Sequence, residues 1–368
     1  MSEETSADLL APRENPELSG HEEAEQTLAN AFQSGRLAHA WMISGPKGIG
    51  KATLAYRFAR YVLAKGGDSP GPGLFGEEDP AEAGLYMAPD HPVFRRVAAG
   101  GHTDFMSVER SLDDRGKLRG EIVVSDVRDC GRFFALTAGE GGWRVAVIDA
   151  ADEMNPNAAN ALLKVLEEPP ANALLLLVTH NPGRMLPTIR SRCSKLALKP
   201  LDEDRLSALI ARSHPDLTPA DAALLAHLAD GSPGRALDLA GEGGLELYRD
   251  MTGLLETLPR LDIGALHSFS GRFTKAGQEE SFQTVSGLLR WWLARLIVSV
   301  SGGTGASHRL NPQEEALATR FGHSASLDRL FEVWEKINHL LNKADHAHLN
   351  RKQVILNVFL TLEDAVRS

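Results

Sequence analysis

The segment GPKGIGKATL, residues 45–54, combines residue types that can hold a phosphate. Its glycines permit a tight turn, and its second lysine, Lys51, adds a positive charge. In phosphate-binding loops, backbone N–H groups and the positive end of the next helix surround the phosphates, while a lysine neutralises their charge. The predicted cradle therefore consists of Gly45, Gly48, Gly50 and Lys51.

The residue after the lysine departs from this pattern. Phosphate-binding loops carry a serine or threonine there, whose hydroxyl ligates Mg²⁺, whereas this chain has Ala52. Thr53 lies one position too late, because one residue turns a helix by about 100°. A plain alternative is a structural glycine turn with a solvated lysine. We favour a loop derived from a nucleotide site, and leave open whether it still holds ATP or ADP weakly.

A second departure follows the strand VAVID, which ends at Asp149, where an acid facing a metal belongs. Hydrolysing proteins of this type place a glutamate next to it to position the attacking water, but this chain has Ala150. Asp152 and Glu153 lie beyond the strand and are predicted to begin or cap the next helix. With both groups missing, we expect the chain's own ATPase to be absent or very weak.

Apolar patterns place these residues on alternating strands and helices. Strands are predicted at HAWMISG, HPVFRRV, WRVAVID and ALLLLVTH, and helices at residues 22–33, KATLAYRFARYVLA, about 124–136, and NAANALLKVLEEPP. Such alternation predicts an α/β fold with a parallel, doubly wound sheet. Beyond residue 200 only helical patterns remain. The predicted domains are residues 1–199 (α/β), 200–242 (small helical) and 243–368 (larger helical), with residues 1–20 as a frayed lead-in.

Composition limits the classes of function. Two distant cysteines and an acidic, polar N-terminus without a signal-like apolar stretch favour a reducing cytoplasm. The longest aliphatic run, residues 174–178, is too short to span a membrane. The net charge of −10 argues against a module that binds DNA on its own, because phosphate neutralisation dominates such binding. Partner proteins are the better expectation.

Three segments together resemble one known family. RLAHAWMISGPKGIGKATLA, NAANALLKVLEEPP and LPTIRSRC look like the bacterial clamp-loader branch of the AAA+ family, and GSPGRAL (residues 231–237) extends the resemblance. It covers residues 20–200 well, and the C-terminal third only through its helical character and the stretch NRKQVILNVFL. The resemblance implies a P-loop AAA+ domain, a small helical lid and an all-α collar that oligomerises with other subunits.

The resemblance also implies roles for single residues. Arg192, in SRC, is similar to the arginine finger that clamp-loader subunits present to ATP on a neighbour; the alternative is a surface arginine in a turn. Asn181 takes the usual sensor position at a strand end, and Arg235 resembles the second sensor of the lid, although both could be structural relics. The degenerate nucleotide set is thus Gly45, Gly48, Gly50, Lys51, Thr53, Asp149, Asn181 and Arg235.

The implied function is that of a non-hydrolysing stator within the DNA polymerase III holoenzyme, whose polymerase activity resides in another subunit. The implied partners are the tau/gamma and delta clamp-loader subunits, with the sliding clamp and primed DNA reached through the complex, and no membrane. Relatives often carry a four-cysteine zinc knob, but residues 65–90 contain no cysteine, so no zinc or other metal is expected. The alternatives are an active ATPase of tau/gamma type, using Thr53 and Asp152 or Glu153 in displaced roles, and a lone DNA-binding module.

Overall fold

The computed structural model describes residues 10–66, 84–140, 142–275, 277–302, 310–347 and 349–367. Its contacts divide the chain into two compact units, Met1–Leu209 with Gly231–Gly234, and Ile210–Asp230 with Arg235–Ser368. In the segment expected to replace a zinc knob, residues 67–83 lie outside the described residues. Within the described ranges, no helix is long and apolar enough to cross a bilayer.

The first unit is built on one parallel sheet. Its five strands are β1 (Ala40–Ser44), β2 (Phe105–Val108), β3 (Arg144–Asp149), β4 (Ala173–Thr179) and β5 (Ser194–Ala197). They lie in the order β2-β3-β4-β1-β5, and every neighbouring pair is parallel. The helices of this unit are α1 (Glu22–Gln33), α2 (Lys51–Lys65), α3 (Pro92–Ala98), α4 (Val124–Ala135), α5 (Pro156–Glu167) and α6 (Pro187–Arg190). The predicted α/β class is confirmed.

Alternate side chains of the central strands enter two separate cores. Trp41 and Ile43 pack with α1 and α2 on one face, whereas Met42 packs with α4 and α5 on the other. The strand β4, buried along its whole length, serves both faces, which explains its uninterrupted aliphatic sequence. Helices packed on both faces of the sheet hold the strands in place. The candidate site residues lie at the ends of these strands.

Two elements differ from the sequence prediction. The segment HPVFRRV is not a strand but α3, because His91 caps its first turn, Pro92 occupies the first helical position, and Val93, Phe94 and Val97 share the buried side. The strand β2 was not predicted; in this edge strand only Phe105 and Val108 are fully buried. Its apolar signal is too sparse to separate it from the polar segment around it.

The N-terminal lead-in is also not frayed over its described residues. Arg60 of α2, 1% exposed, donates to the carbonyl oxygens of Arg13 and Asn15, both at 3.0 Å, and its guanidinium lies 4.2 Å from the centre of the Phe94 ring. Arg57 donates to the carbonyl of Pro16 and pairs with Glu25 at 2.6 Å. Two buried arginines therefore fasten the lead-in to α2.

The remaining elements are helices, as predicted. They are α7 (Glu203–Ser213), α8 (Pro219–Leu228), α9 (Pro233–Gly241), α10 (Gly244–Glu256), α11 (Ile263–Gly271), α12 (Glu279–Val300), α13 (Pro312–Ser324), α14 (Leu327–Ala347) and α15 (Arg351–Arg367). Within the second unit, the buried carboxylate of Glu314 receives hydrogen bonds from Tyr248 (2.7 Å) and lies 2.9 Å from His227 Nε2. This network joins α8, α10 and α13.

Replacing Arg60 tests the fastening of the lead-in. We expect Arg60→Ala to lower the free energy of unfolding by about 2 kcal/mol, because two backbone acceptors lose their donor and a buried side chain leaves a cavity. Urea unfolding measures the loss, and limited proteolysis should show faster cleavage within residues 10–20. Arg132→Ala is the matched control, since that side chain is 81% exposed and should change stability by less than about 0.5 kcal/mol. Equal stability of both variants would contradict this assignment.

Candidate functional site

The glycine loop lies where the strand β1 ends and α2 begins. Gly45, Gly48 and Gly50 have φ angles of +149°, +77° and +100°, which L side chains rarely adopt. A Cβ at Gly45 would also lie 2.6 Å from the carbonyl oxygen of Leu198. The turn therefore strongly favours glycine at these positions, as its sequence predicts.

The carbonyl groups of the loop are held from outside. His21 Nε2 donates to the Ile49 oxygen at 2.6 Å, and Ser232 Oγ donates to the Lys47 oxygen at 3.0 Å. The Gly234 N–H donates to the Gly48 oxygen at 2.9 Å. These three bonds orient the carbonyls toward the protein and fix the loop in one conformation.

The amide groups of the same loop have a different environment. In the part of the chain that the structure describes, the N–H groups of residues 47–53 have no hydrogen-bond acceptor. The first amides of a helix lack intrahelical partners, and together with the helix dipole they favour an anion. The loop thus leaves amides without a protein acceptor at the start of α2, and residue 52 is an alanine without a hydroxyl.

Lys51 is not solvated, so the plain alternative for this residue is wrong. Its side chain is buried, and its amine donates to the carbonyl of Pro46 within the loop itself. Burial lowers the pKa of Lys51 to about 8, although the carboxylates of Asp149 and Asp152 partly oppose this effect. The amine is therefore held by the protein, close to the acids that follow β3.

Asp149 lies at the carboxyl end of β3, as predicted. Burial raises its pKa to about 6, and the charge of Glu109 adds to the effect while Lys51 opposes it. Sequence reasoning missed Glu109, which directly follows the unrecognised strand β2; its carboxylate accepts a hydrogen bond from Tyr56 at 2.9 Å. Since β2 and β3 are parallel neighbours, their carboxyl ends bring these two acids together.

Asp152 and Glu153, the acids that follow Ala150, both bind other groups of the protein. The Asp152 carboxylate accepts from the N–H groups of His180 (2.9 Å) and Asn181 (3.0 Å), which ties the end of β3 to the end of β4. Burial alone would raise the pKa of Asp152, but these hydrogen bonds lower it on balance. Glu153 pairs with Arg110 at 2.9 Å. Both acids lie in a 3-10 turn, Ala151–Glu153, and each carboxylate already binds a protein group.

The cap of α5 is Asn155, whose side chain accepts from the Ala158 N–H at 2.9 Å, so the prediction that Asp152 or Glu153 caps this helix is wrong. Thr53 is buried on α2. A displaced catalytic role for Thr53, Asp152 or Glu153 would require each to leave these positions.

The two sensor candidates lie in different units. Asn181 follows β4 and is exposed, and its side chain accepts from the Gly183 N–H at 3.0 Å, where it caps a short turn. Arg235 belongs to the second unit, where its guanidinium lies 3.7 Å from the Asp230 carboxylate. Burial lowers the pKa of Arg235, with Asp230 opposing. The structure thus shows a local structural contact for each residue.

Arg192 and the glycine loop lie at opposite ends of the parallel strands. Arg192 precedes β5, whose residue Ser194 is in register with Trp41 near the start of β1, whereas the loop follows the end of β1. The length of the strand separates them by roughly 15 Å. The side chain of Arg192 is 37% exposed and pairs with Glu167 at 3.0 Å. It therefore cannot reach a nucleotide held by its own loop.

No metal site is evident among the described residues, where no group of three or more histidine, cysteine or acidic side chains has a suitable arrangement. Cys130 and Cys193 are free and buried. Burial raises the pKa of their thiols to about 12 and about 11. Neither thiol has the character of a nucleophile.

Comparison with known proteins identifies the family. Residues 20–202 match the family described as DNA polymerase III, delta subunit. This part of the chain belongs to that family. The chain is 40% identical over 231 residues to the delta' subunit of Pseudomonas aeruginosa (62% of this chain, 63% of the relative), and 27% identical over 342 residues to that of Escherichia coli (92% of each). The predicted resemblance to bacterial clamp-loader subunits is confirmed, and the relatives that show it include delta' subunits.

A second kind of relative shares part of the chain. The tau subunit of Escherichia coli DNA polymerase III is 30% identical over 248 residues, which are 66% of this chain and 35% of the relative. The chain thus spans about a third of the tau subunit and less than two thirds of the Pseudomonas delta' subunit.

A titration experiment tests the electrostatics around Asp149. Because its folded pKa of about 6 exceeds its ordinary value of 3.8, the folded state binds more protons between these pH values. Asp149 therefore makes stability fall as the pH rises from about 4 to about 6. We expect Asp149→Asn to remove this fall in urea midpoints measured from pH 4 to 7. Asp129→Asn, which changes an exposed carboxylate, should keep the wild-type profile. An unchanged profile for Asp149→Asn would refute the assignment.

Proposed function

We propose that this chain is a non-hydrolysing clamp-loader subunit of the delta-prime type that supplies Arg192 to ATP bound on a neighbouring subunit. The observation that carries the proposal is the position of Arg192, exposed and on the sheet edge opposite the chain's own glycine loop. A guanidinium presented in trans stabilises the negative charge that develops on the γ-phosphate during hydrolysis. Only a neighbour can provide that phosphate here.

The degenerate loop supports the non-hydrolysing part of the proposal. Ala52 offers no ligand for Mg²⁺, and Ala150 offers no carboxylate to a water. Asp152, one of the acids considered as a substitute, binds two backbone amides, and Lys51 binds a carbonyl of the loop. The unpaired amides of residues 47–53 are consistent with weak, passive binding of ATP or ADP without turnover.

The partners follow from the family. The subunit acts as a stator beside tau/gamma and delta subunits in a hetero-oligomer, and the helical region beyond residue 242 provides the collar contacts. The complex as a whole loads the sliding clamp onto primed DNA for DNA polymerase III. The matches to delta' and tau subunits support this setting, and the net charge of −10 favours protein partners over direct DNA binding.

The test is the ATPase of the reconstituted complex. Arg192→Ala should leave assembly intact, as judged by co-elution, and should lower DNA-stimulated ATP hydrolysis about tenfold or more, since an arginine finger contributes strongly to turnover. Arg132→Ala, on an exposed face of α4, is the control and should retain wild-type turnover. Unchanged hydrolysis with Arg192→Ala would reject the finger. Turnover by the isolated chain that Lys51→Ala abolishes would instead establish an active ATPase of tau/gamma type.

A further inference from the structure

The guanidinium of Arg192 is held by two contacts within its own unit. Its Nη2 lies 3.0 Å from the Glu167 carboxylate, and its Nη1 donates to the carbonyl of Thr188 at 3.1 Å. The backbone on either side is anchored by the buried side chains of Ile189 and Cys193. The exposed guanidinium therefore has two partners within its own unit, and the backbone that carries it is anchored in the core.

The two contacts leave most of the guanidinium available. An arginine has five N–H donors in a planar fork, and the contacts with Glu167 and Thr188 need only two of them. Three donors remain for an anion, enough for the paired hydrogen bonds that arginine makes to a phosphate. Glu167 thus restrains Arg192 without occupying all of its donors.

Glu167 lies in a position where a carboxylate is otherwise unfavourable. It is the last residue of α5, where the helix dipole places partial negative charge, and Glu168 follows it directly. Pro169 and Pro170 then prevent the helix from continuing. Arg192 offsets the charge of Glu167, whereas Glu168 is exposed and has no ion-pair partner in the described part of the chain.

We propose that Glu167 is a positioning residue for Arg192: it orients the guanidinium so that the remaining donors meet the terminal phosphate of a nucleotide on the neighbouring subunit. This inference rests on the proposed function of Arg192. The ion pair is exposed, at 37% and 50% for the two side chains, and so contributes little to stability. Its effect is to reduce the number of orientations that Arg192 samples before the neighbour's phosphate arrives.

The experiment uses the full chain in the reconstituted clamp-loader complex, with kcat and KM for ATP measured for DNA-stimulated hydrolysis. Glu167→Ala should lower kcat about threefold to tenfold and leave KM for ATP nearly unchanged, because the lost orientation matters mainly in the transition state. Glu167→Gln keeps an oxygen that accepts from Arg192, so it should recover part of the lost kcat. Glu168→Gln is the matched control and should retain wild-type kcat.

The double variant separates positioning from a merely structural role. If Glu167 acts through Arg192, Glu167→Ala combined with Arg192→Ala should be no slower than Arg192→Ala alone. Losses that multiply in the double variant, or a wild-type kcat for Glu167→Ala, would overturn the role of Glu167. If Arg192→Ala itself keeps the wild-type kcat, the finger and its positioning residue are both rejected. A loss with Arg192→Ala but none with Glu167→Ala rejects only the positioning role.

Discussion

The parallel register of β1 with β4 and β5 is the constraint on which the rest of this structure depends. In a parallel sheet all strands end at one edge, so the glycine loop, Asp149 and Asn181 gather there. The same register places the residues that precede the strands, including Arg192, at the other edge. The glycine loop and Arg192, the proposed arginine finger, therefore lie at opposite ends of the strands.

The glycine loop is held in place by hydrogen bonds within the first unit. The loop carbonyls accept hydrogen bonds from His21, Ser232 and Gly234, so the loop connects the start of α1 with residues 231–234. The amine of Lys51 donates to the carbonyl of Pro46 and so links the two ends of the loop. These bonds give the loop a structural role in the first unit, whether or not it holds a nucleotide.

The region around Arg192 is organised by a few polar contacts. Arg192 is anchored by Glu167 and Thr188, and the buried residues beside it hold the turn before β5. Glu167 itself is placed by the end of α5, which the two prolines terminate. The segments NAANALLKVLEEPP and LPTIRSRC, far apart in the sequence, thus form one local arrangement around a single guanidinium.

Much of this could be predicted because it depends on local signals. The buried strand β4, the glycine loop and the capped helices carry strong periodic or compositional patterns, and the two alanines in place of catalytic groups are visible in the sequence itself. The strand β2 was missed because its buried apolar residues are sparse, and α3 was misjudged because short apolar runs do not distinguish strand from helix. Glu109 beside Asp149, Asp152 on the β4 amides, and Glu167 on Arg192 depend on contacts between distant segments, which no local pattern reports.

The most direct test of the account is the position of Arg192 in the assembled clamp loader, trapped with a nucleotide and an analogue of the transferring γ-phosphate. A structure of that complex gives the distance between the Arg192 guanidinium and the terminal phosphate on the adjacent subunit. We expect hydrogen-bond contact, at about 3 Å. An Arg192 side chain that points into solvent, away from every bound nucleotide, would contradict the account.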